Sequence, residues 1–165
     1  FGKVQDEKIK KQMVEDFVDY YGRNIINQST LINGVLDFLK WCNDKKISMA
    51  VCTNKQEHLG VDLLNKIKIY DFFEYVAGSN TFDYCKPDPR HLTTIVEILD
   101  GDVKKALMIG DSETDIPLFE LAHTSIALGN SSEHVKSKAS ITVSGKSGDG
   151  VIEALDKLEP TFTES

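Results

Sequence analysis

The chain has 165 residues, 41% hydrophobic and 27% charged, with a formal net charge of −7. That length supports one compact domain with its own core, and that balance excludes a disordered chain. The acidic sum excludes a general nucleic-acid binder, and the apolar runs, such as Leu107-Met108-Ile109, fall far short of the ~20 residues of a membrane helix. The three cysteines, Cys42, Cys52 and Cys85, lack paired spacing, which fits a reducing cytoplasm better than a disulfide framework.

Residues 6–22 form the first predicted helix, with Ile9, Met13, Phe17 and Tyr20 at three- and four-residue spacing. Residues 23–29 are polar and read as a linker. A second helix is expected over 30–45, with Leu31, Val35, Phe38, Leu39 and Cys42 on one face and Lys45-Lys46 at its C-terminus. The period then shortens. Residues 47–52 predict a buried strand, 56–66 a helix and 75–78 a strand. Pro87 and Pro89 break the chain before a helix over 91–99. Further on, strands are expected at 106–109, 125–128 and 141–143, with helices at 112–121, 133–138 and 150–158. Short apolar strands alternating with helices predict parallel strands joined by crossover helices. In such sheets ligands bind beyond the carboxyl ends of the strands.

Three of these strand ends carry chemically suggestive groups. Thr53-Asn54-Lys55 follows the first strand, Lys86 lies in the loop Tyr84-Cys85-Lys86-Pro87-Asp88-Pro89 after the second, and Gly110-Asp111-Ser112-Glu113-Thr114-Asp115 follows the third. A hydroxyl and backbone N–H groups at a strand-to-helix turn suit phosphate oxygens. A lysine adds a point charge to them. Carboxylates with few other donors suit magnesium, which prefers oxygen ligands and keeps waters. Each group also has an ordinary explanation. Asp111 and Asp115 sit where acids cap helices and offset the dipole, Thr53-Asn54 stand where a helix N-cap belongs, and loop lysines are mostly solvated.

Taken together and in this order, Val51-Cys52-Thr53-Asn54-Lys55, Cys85-Lys86-Pro87-Asp88-Pro89 and Met108-Ile109-Gly110-Asp111-Ser112-Glu113-Thr114-Asp115 resemble the second, third and fourth motifs of the haloacid dehalogenase-like hydrolases, nearest to their phosphoglycolate phosphatase-like branch. The resemblance covers about residues 30–158. It implies a Rossmann-like parallel sheet flanked by helices, with residues 1–27 as the C-terminal part of a helical cap and 28–165 as the phosphatase core. It implies that Thr53 binds a phosphate oxygen through its hydroxyl and Asn54 through its N–H, and that Lys86 neutralises the phosphate. Asp111 would ligate Mg2+, directly or through water, and Asp115 would support that metal site. The activity implied is Mg2+-dependent hydrolysis of a small phosphorylated metabolite through an aspartyl-phosphate. A phosphomutase of the same fold and an inactive phosphate-binding module are the rival readings. The family's first motif, Asp-x-Asp-Gly-Thr, which carries the nucleophile at the end of a central strand, does not occur in the chain. It is expected upstream of Phe1.

Other signals are weaker. Ser144-Gly145-Lys146-Ser147 resembles half of a P-loop, but the glycine required five residues before Gly145 is Ser140, so a plain turn is expected. His58, His91, His123 and His134 lack metal-ligand spacing. Trp41, Phe72, Phe73 and Tyr75 are expected to pack, as are the cysteines.

Overall fold

The computed structural model describes residues 6–24, 31, 34–145 and 153–154. The chain divides into two compact units, Phe1–Thr30 and Leu31–Ser165.

The first unit contains helix α1 (Glu7–Asn24). Asp6 starts it by accepting from the Lys8 N–H at 2.8 Å. The helix runs two residues past the expected Gly22, because Arg23 pairs with Asp19 at 2.7 Å and the Asn24 amide donates to the Tyr20 carbonyl at 2.8 Å. Its apolar stripe, Ile9, Met13, Phe17 and Tyr20, is exposed.

The second unit holds α2 (Val35–Asp44), β1 (Ala50–Cys52), α3 (Glu57–Lys66), β2 (Tyr75–Ala77), α4 (Arg90–Ile98), β3 (Leu107–Gly110), α5 (Ile116–Leu121), β4 (Thr124–Ala127), α6 (Glu133–Lys136) and β5 (Ile141–Thr142). Every strand pairing among the described residues is parallel. β1 pairs with β2 in the register Ala50↔Tyr75, and β4 lies between β3 (Leu107↔Thr124) and β5 (Ile126↔Ile141). The α/β architecture therefore has the expected parallel strands and flanking helices. The predicted helix over 150–158 lies outside the described residues except for Glu153 and Ala154, which are helical.

Two local differences have clear causes. The expected helix over 112–121 starts as a 3-10 turn, Glu113–Asp115, and becomes α-helical only from Ile116, with Pro117 in its first turn. Proline lacks the N–H that a helix interior needs but is tolerated there. The strand expected from Ile47 begins at Ala50, although the Glu74 N–H still donates to the Met49 carbonyl at 2.9 Å.

The helices bury their apolar faces on the strands. Leu39, Leu64 and Ile69 form one cluster with Val35, Phe38, Val51, Phe73 and Val76 around them. Leu92, Met108, Leu118, Phe119, Ala127 and Val135 form another, and Ile126, Val143 and Ala154 a third. The β1–β2 and β3–β4–β5 sheets are separate. An apolar cavity of about 410 Å3 is lined by Ala50 and Cys52 of β1, Leu107, Met108 and Ile109 of β3, and Leu39 and Ile95 of α2 and α4. No helix among the described residues is long and apolar enough to cross a membrane.

Candidate active site

The carboxyl ends of β1, β2 and β3 bring the sequence-predicted site residues together. After β1 the Thr53 N–H still donates to the Ala77 carbonyl of β2 at 2.9 Å. The chain then turns. The Thr53 hydroxyl accepts from the Lys55 N–H at 3.2 Å, and the N-cap of α3 is Gln56, so Thr53 and Asn54 are not that helix's cap. The Asn54 amide donates to the Lys86 carbonyl at 3.0 Å. That bond ties the first strand end to the lysine loop.

The turn after β1 is clasped to the turn after β2. The Glu57 N–H donates to Asn80 Oδ1 at 2.8 Å, the Thr81 hydroxyl donates to Glu57 Oε2 at 2.6 Å, and the Gly78 N–H donates to Thr81 Oγ1 at 2.7 Å. A β-carbon on Gly78 would collide with the Glu57 N and the Lys55 carbonyl, so only glycine lets these backbones approach so closely.

Lys86 Nζ lies 2.7 Å from Asp115 Oδ1, and the two side chains are 12% and 4% exposed. The other Asp115 oxygen, Oδ2, accepts from the Asp111 N–H at 3.1 Å, the Ser112 N–H at 3.0 Å and the Ser112 hydroxyl at 3.2 Å. Asp115 thus closes the turn after β3 and anchors Lys86 with the same carboxylate. A β-carbon on Gly110 would lie 2.6 Å from Asp115 Oδ2, so the glycine before Asp111 is what lets Asp115 fold back.

Asp111 is used differently. It is exposed, its Oδ2 accepts from the Asn130 amide at 2.8 Å, and its Oδ1 has no partner among the described residues. That free carboxylate oxygen at a strand end fits a hard cation. Among the described residues no three or more His, Cys, Asp or Glu side chains are gathered for a metal. An open carboxylate oxygen is the type of donor that magnesium takes alongside its waters.

Other titratable groups lie nearby. His91, in the first turn of α4, is fully buried, and neither ring nitrogen has a hydrogen-bond partner among the described residues. Its ring meets Phe82 edge-on at 5.7 Å. Burial first, and then the Lys86 charge, hold its pKa below the ordinary value, against a small opposing effect of Asp88. Burial pushes the Cys52 thiol up to about 11, so this cysteine is a poor nucleophile at neutral pH. The half P-loop has its own occupant. The Ser144 and Gly145 N–H groups donate to Glu153 Oε2 at 2.6 and 3.0 Å, and an internal carboxylate stands where an anion would otherwise bind.

Two features were not singled out in the sequence. One is the Glu57–Thr81 clasp, which joins two loops and leaves no periodic signal. The other is Asn130, which a strict search of every strand end would have found, since it closely follows β4.

Parallel strands with Thr-Asn, Lys-Pro and Gly-Asp-Ser-x-x-Asp at successive carboxyl ends define the class, an α/β protein of the haloacid dehalogenase type. The chain belongs to the haloacid dehalogenase-like hydrolase family, whose model matches residues 1–124. It is 34% identical over 128 residues to a phosphoglycolate phosphatase of Mesorhizobium japonicum, an alignment covering 76% of this chain and 56% of that protein. A phosphoglycolate phosphatase of Agrobacterium fabrum is 36% identical over 104 residues, covering 63% of this chain and 45% of that protein. The chain thus spans about half the length of the curated relatives it matches. Among solved structures, a predicted phosphoglycolate phosphatase from Haemophilus somnus superposes with a TM-score of 0.82 at 24% identity, covering 96% of this chain and 70% of that one. That likeness establishes the fold.

Proposed function

We propose that the protein is a Mg2+-dependent phosphatase acting on a small phosphate monoester, with 2-phosphoglycolate as the leading candidate substrate. The observation that carries this reading is the chain of contacts from Asn54 to the Lys86 loop, and from Lys86 to Asp115, which links the three motif-bearing loops into one partly buried cluster. In this reading the Thr53 hydroxyl and the Asn54 N–H hold phosphoryl oxygens. Lys86, held by Asp115, supplies the positive charge that phosphoryl transfer needs where charge develops. Asp111 is the direct metal ligand, and Asp115 contributes by orienting Lys86 and the Asp111 turn. Bound magnesium would neutralise phosphate oxygens and fix their orientation.

The nucleophile is in this reading a carboxylate of the kind carried by the family's Asp-x-Asp-Gly-Thr motif. Its attack on phosphorus expels the ester oxygen, and water then hydrolyses the aspartyl-phosphate. Residues 1–27 are in this reading the C-terminal part of a helical cap. The similarity to phosphoglycolate phosphatases supports a small phosphorylated metabolite as substrate, and the cysteine usage supports a cytoplasmic setting.

The test is phosphate release by the full-length protein from a panel of phosphate monoesters that includes 2-phosphoglycolate, with magnesium and with chelator. Turnover that requires magnesium is expected. A folded protein that releases no phosphate from any panel member would instead favour a phosphate-binding module.

A further inference from the structure

The carboxylate that faces the cation in the proposed reaction is itself held. Asp111 stands exposed at the end of β3, and an aspartate there has free rotation about two side-chain bonds unless something fixes it. One of its oxygens is fixed: the Asn130 amide donates to Oδ2 at 2.8 Å. The other is left open. An amide is suited to this task, because it donates to the carboxylate without adding charge that would compete with a cation.

Asn130 is also well supported. Just before it, the Leu128 N–H donates to the Gly110 carbonyl at 3.2 Å and the Gly129 N–H to the Gly145 carbonyl at 2.9 Å. A β-carbon on Gly129 would collide with the Ser144 carbonyl, so the backbone is closely pressed there. Just after it, Ser131 is buried and its N–H donates to the Leu128 carbonyl at 2.9 Å. The Ser132 hydroxyl then donates to Glu113 Oε1 at 3.0 Å, a second strut from this loop to the Asp111 turn. A donor on a loop pinned at both ends is pre-organised, and partners of metal ligands that are held in this way tune affinity.

We propose that Asn130 is a positioning residue for the divalent cation, acting through Asp111. The inference rests on Asp111 being the metal ligand of the proposed phosphatase. The test uses the full-length protein with Mn2+ as a spectroscopic probe of the Mg2+ site. Binding is read from the free-Mn2+ EPR signal without substrate, and Mg2+ activation is read separately at saturating substrate. Asn130→Ala is expected to weaken Mn2+ binding about tenfold, the lower end of what removing such a partner costs. It should raise the half-activating Mg2+ concentration by a similar factor and leave substrate KM at saturating Mg2+ unchanged. Asn130→Leu keeps the side-chain volume without the donor and should behave alike, so a poorly folded alanine variant does not decide the matter. Asn130→Gln, which keeps an amide, should recover most of the affinity. Wild-type Mn2+ binding that disappears in Asp111→Asn but is unchanged in Asn130→Ala and Asn130→Leu would overturn the inference and leave the phosphatase reading standing. Wild-type protein that binds no Mn2+, or Asp111→Asn protein that binds it normally, would overturn both.

Discussion

Lys86 and Asp115 form an ion pair that cannot lose one member cheaply. Asp115 is 4% exposed on its side chain and has both oxygens engaged. Lys86→Met keeps the aliphatic stem but leaves Asp115 Oδ1 charged, buried and unpaired. Breaking a buried pair from one side costs about 3–5 kcal/mol, so the urea midpoint of unfolding should fall clearly. Turnover should fall by at least about 10²-fold, the scale for deleting one group that stabilises transition-state charge. Adding Asp115→Asn to Lys86→Met should cost less than the sum of the two single changes, because the second removes the charge that the first stranded. Additive losses would show that the two side chains act independently. His91 gives a second test at this scale. Its folded-state pKa lies below its ordinary 6.5, through burial and the nearby Lys86. The unfolded chain therefore takes up the proton first as pH falls, and the stability contributed by neutral His91, intact above pH 6.5, declines below it. Urea midpoints measured between pH 7.5 and 5.5 should drop less in His91→Leu than in the wild type. Equal drops would place the acid sensitivity elsewhere.

At the scale of elements, the loops after β1 and β2 behave as one device. Gly78 permits their contact, and Thr81 bridges them by accepting from the Gly78 N–H and donating to Glu57. Gly78→Ala pushes a methyl group into the Glu57 and Lys55 backbone, an overpacking change of about 1–3 kcal/mol. Because Thr53 and Asn54 lie on the same turn, its KM for the phosphate substrate should rise as well. Thr81→Ala should lower stability by about 1 kcal/mol, the scale of one hydrogen bond, with a smaller KM effect. If Gly78→Ala left KM unchanged, the clasp would not position the phosphate-binding turn.

The same elements show what sequence makes legible. The alternation of short apolar runs with amphipathic helices is a local signal, and α3, β2, α4, β4 and α6 lie close to where it places them. Thr53, Lys86 and Asp111 stand out in the sequence because the strand-end rule points to those positions. Their joining was not visible, because the bond from Asn54 to the Lys86 carbonyl depends on how β1 and β2 pair. Asp115 looked like a metal ligand or a helix cap; its Oδ2 accepts from the Ser112 N–H as half of a capping box, while Oδ1 holds Lys86. The half P-loop after β5 reads in sequence as a plain turn, and sequence cannot show that the Ser144 and Gly145 N–H groups take the Glu153 carboxylate.

The 165-residue chain carries a net charge of −7, and the substrate of the proposed phosphatase is an anion. Long-range attraction is therefore not what brings substrate in, since the summed field opposes it. In the proposed reading binding comes from short-range contacts at Thr53, Asn54 and Lys86, and Lys86 is largely shielded from solvent at 12% side-chain exposure. Such contacts are little affected by salt, whereas the repulsive long-range field is screened as the Debye length falls from about 30 Å at 0.01 M to about 10 Å at 0.1 M. The sign of the salt effect follows. With magnesium held saturating, kcat/KM for a small phosphate monoester should stay level or rise, by no more than about threefold, as added NaCl goes from about 0.01 M to about 0.1 M. A tenfold fall over that range would mean that a cationic surface steers the substrate, and the binding role given to the buried Lys86 site would have to pass to that surface. The measurement also separates the metal from the field, because magnesium at the proposed Asp111 site would add local charge at fixed saturation while NaCl acts only on the screened exterior. A salt response that vanishes in Asp111→Asn protein with residual activity would assign the effect to the cation site, and one that persists would assign it to the acidic surface as a whole.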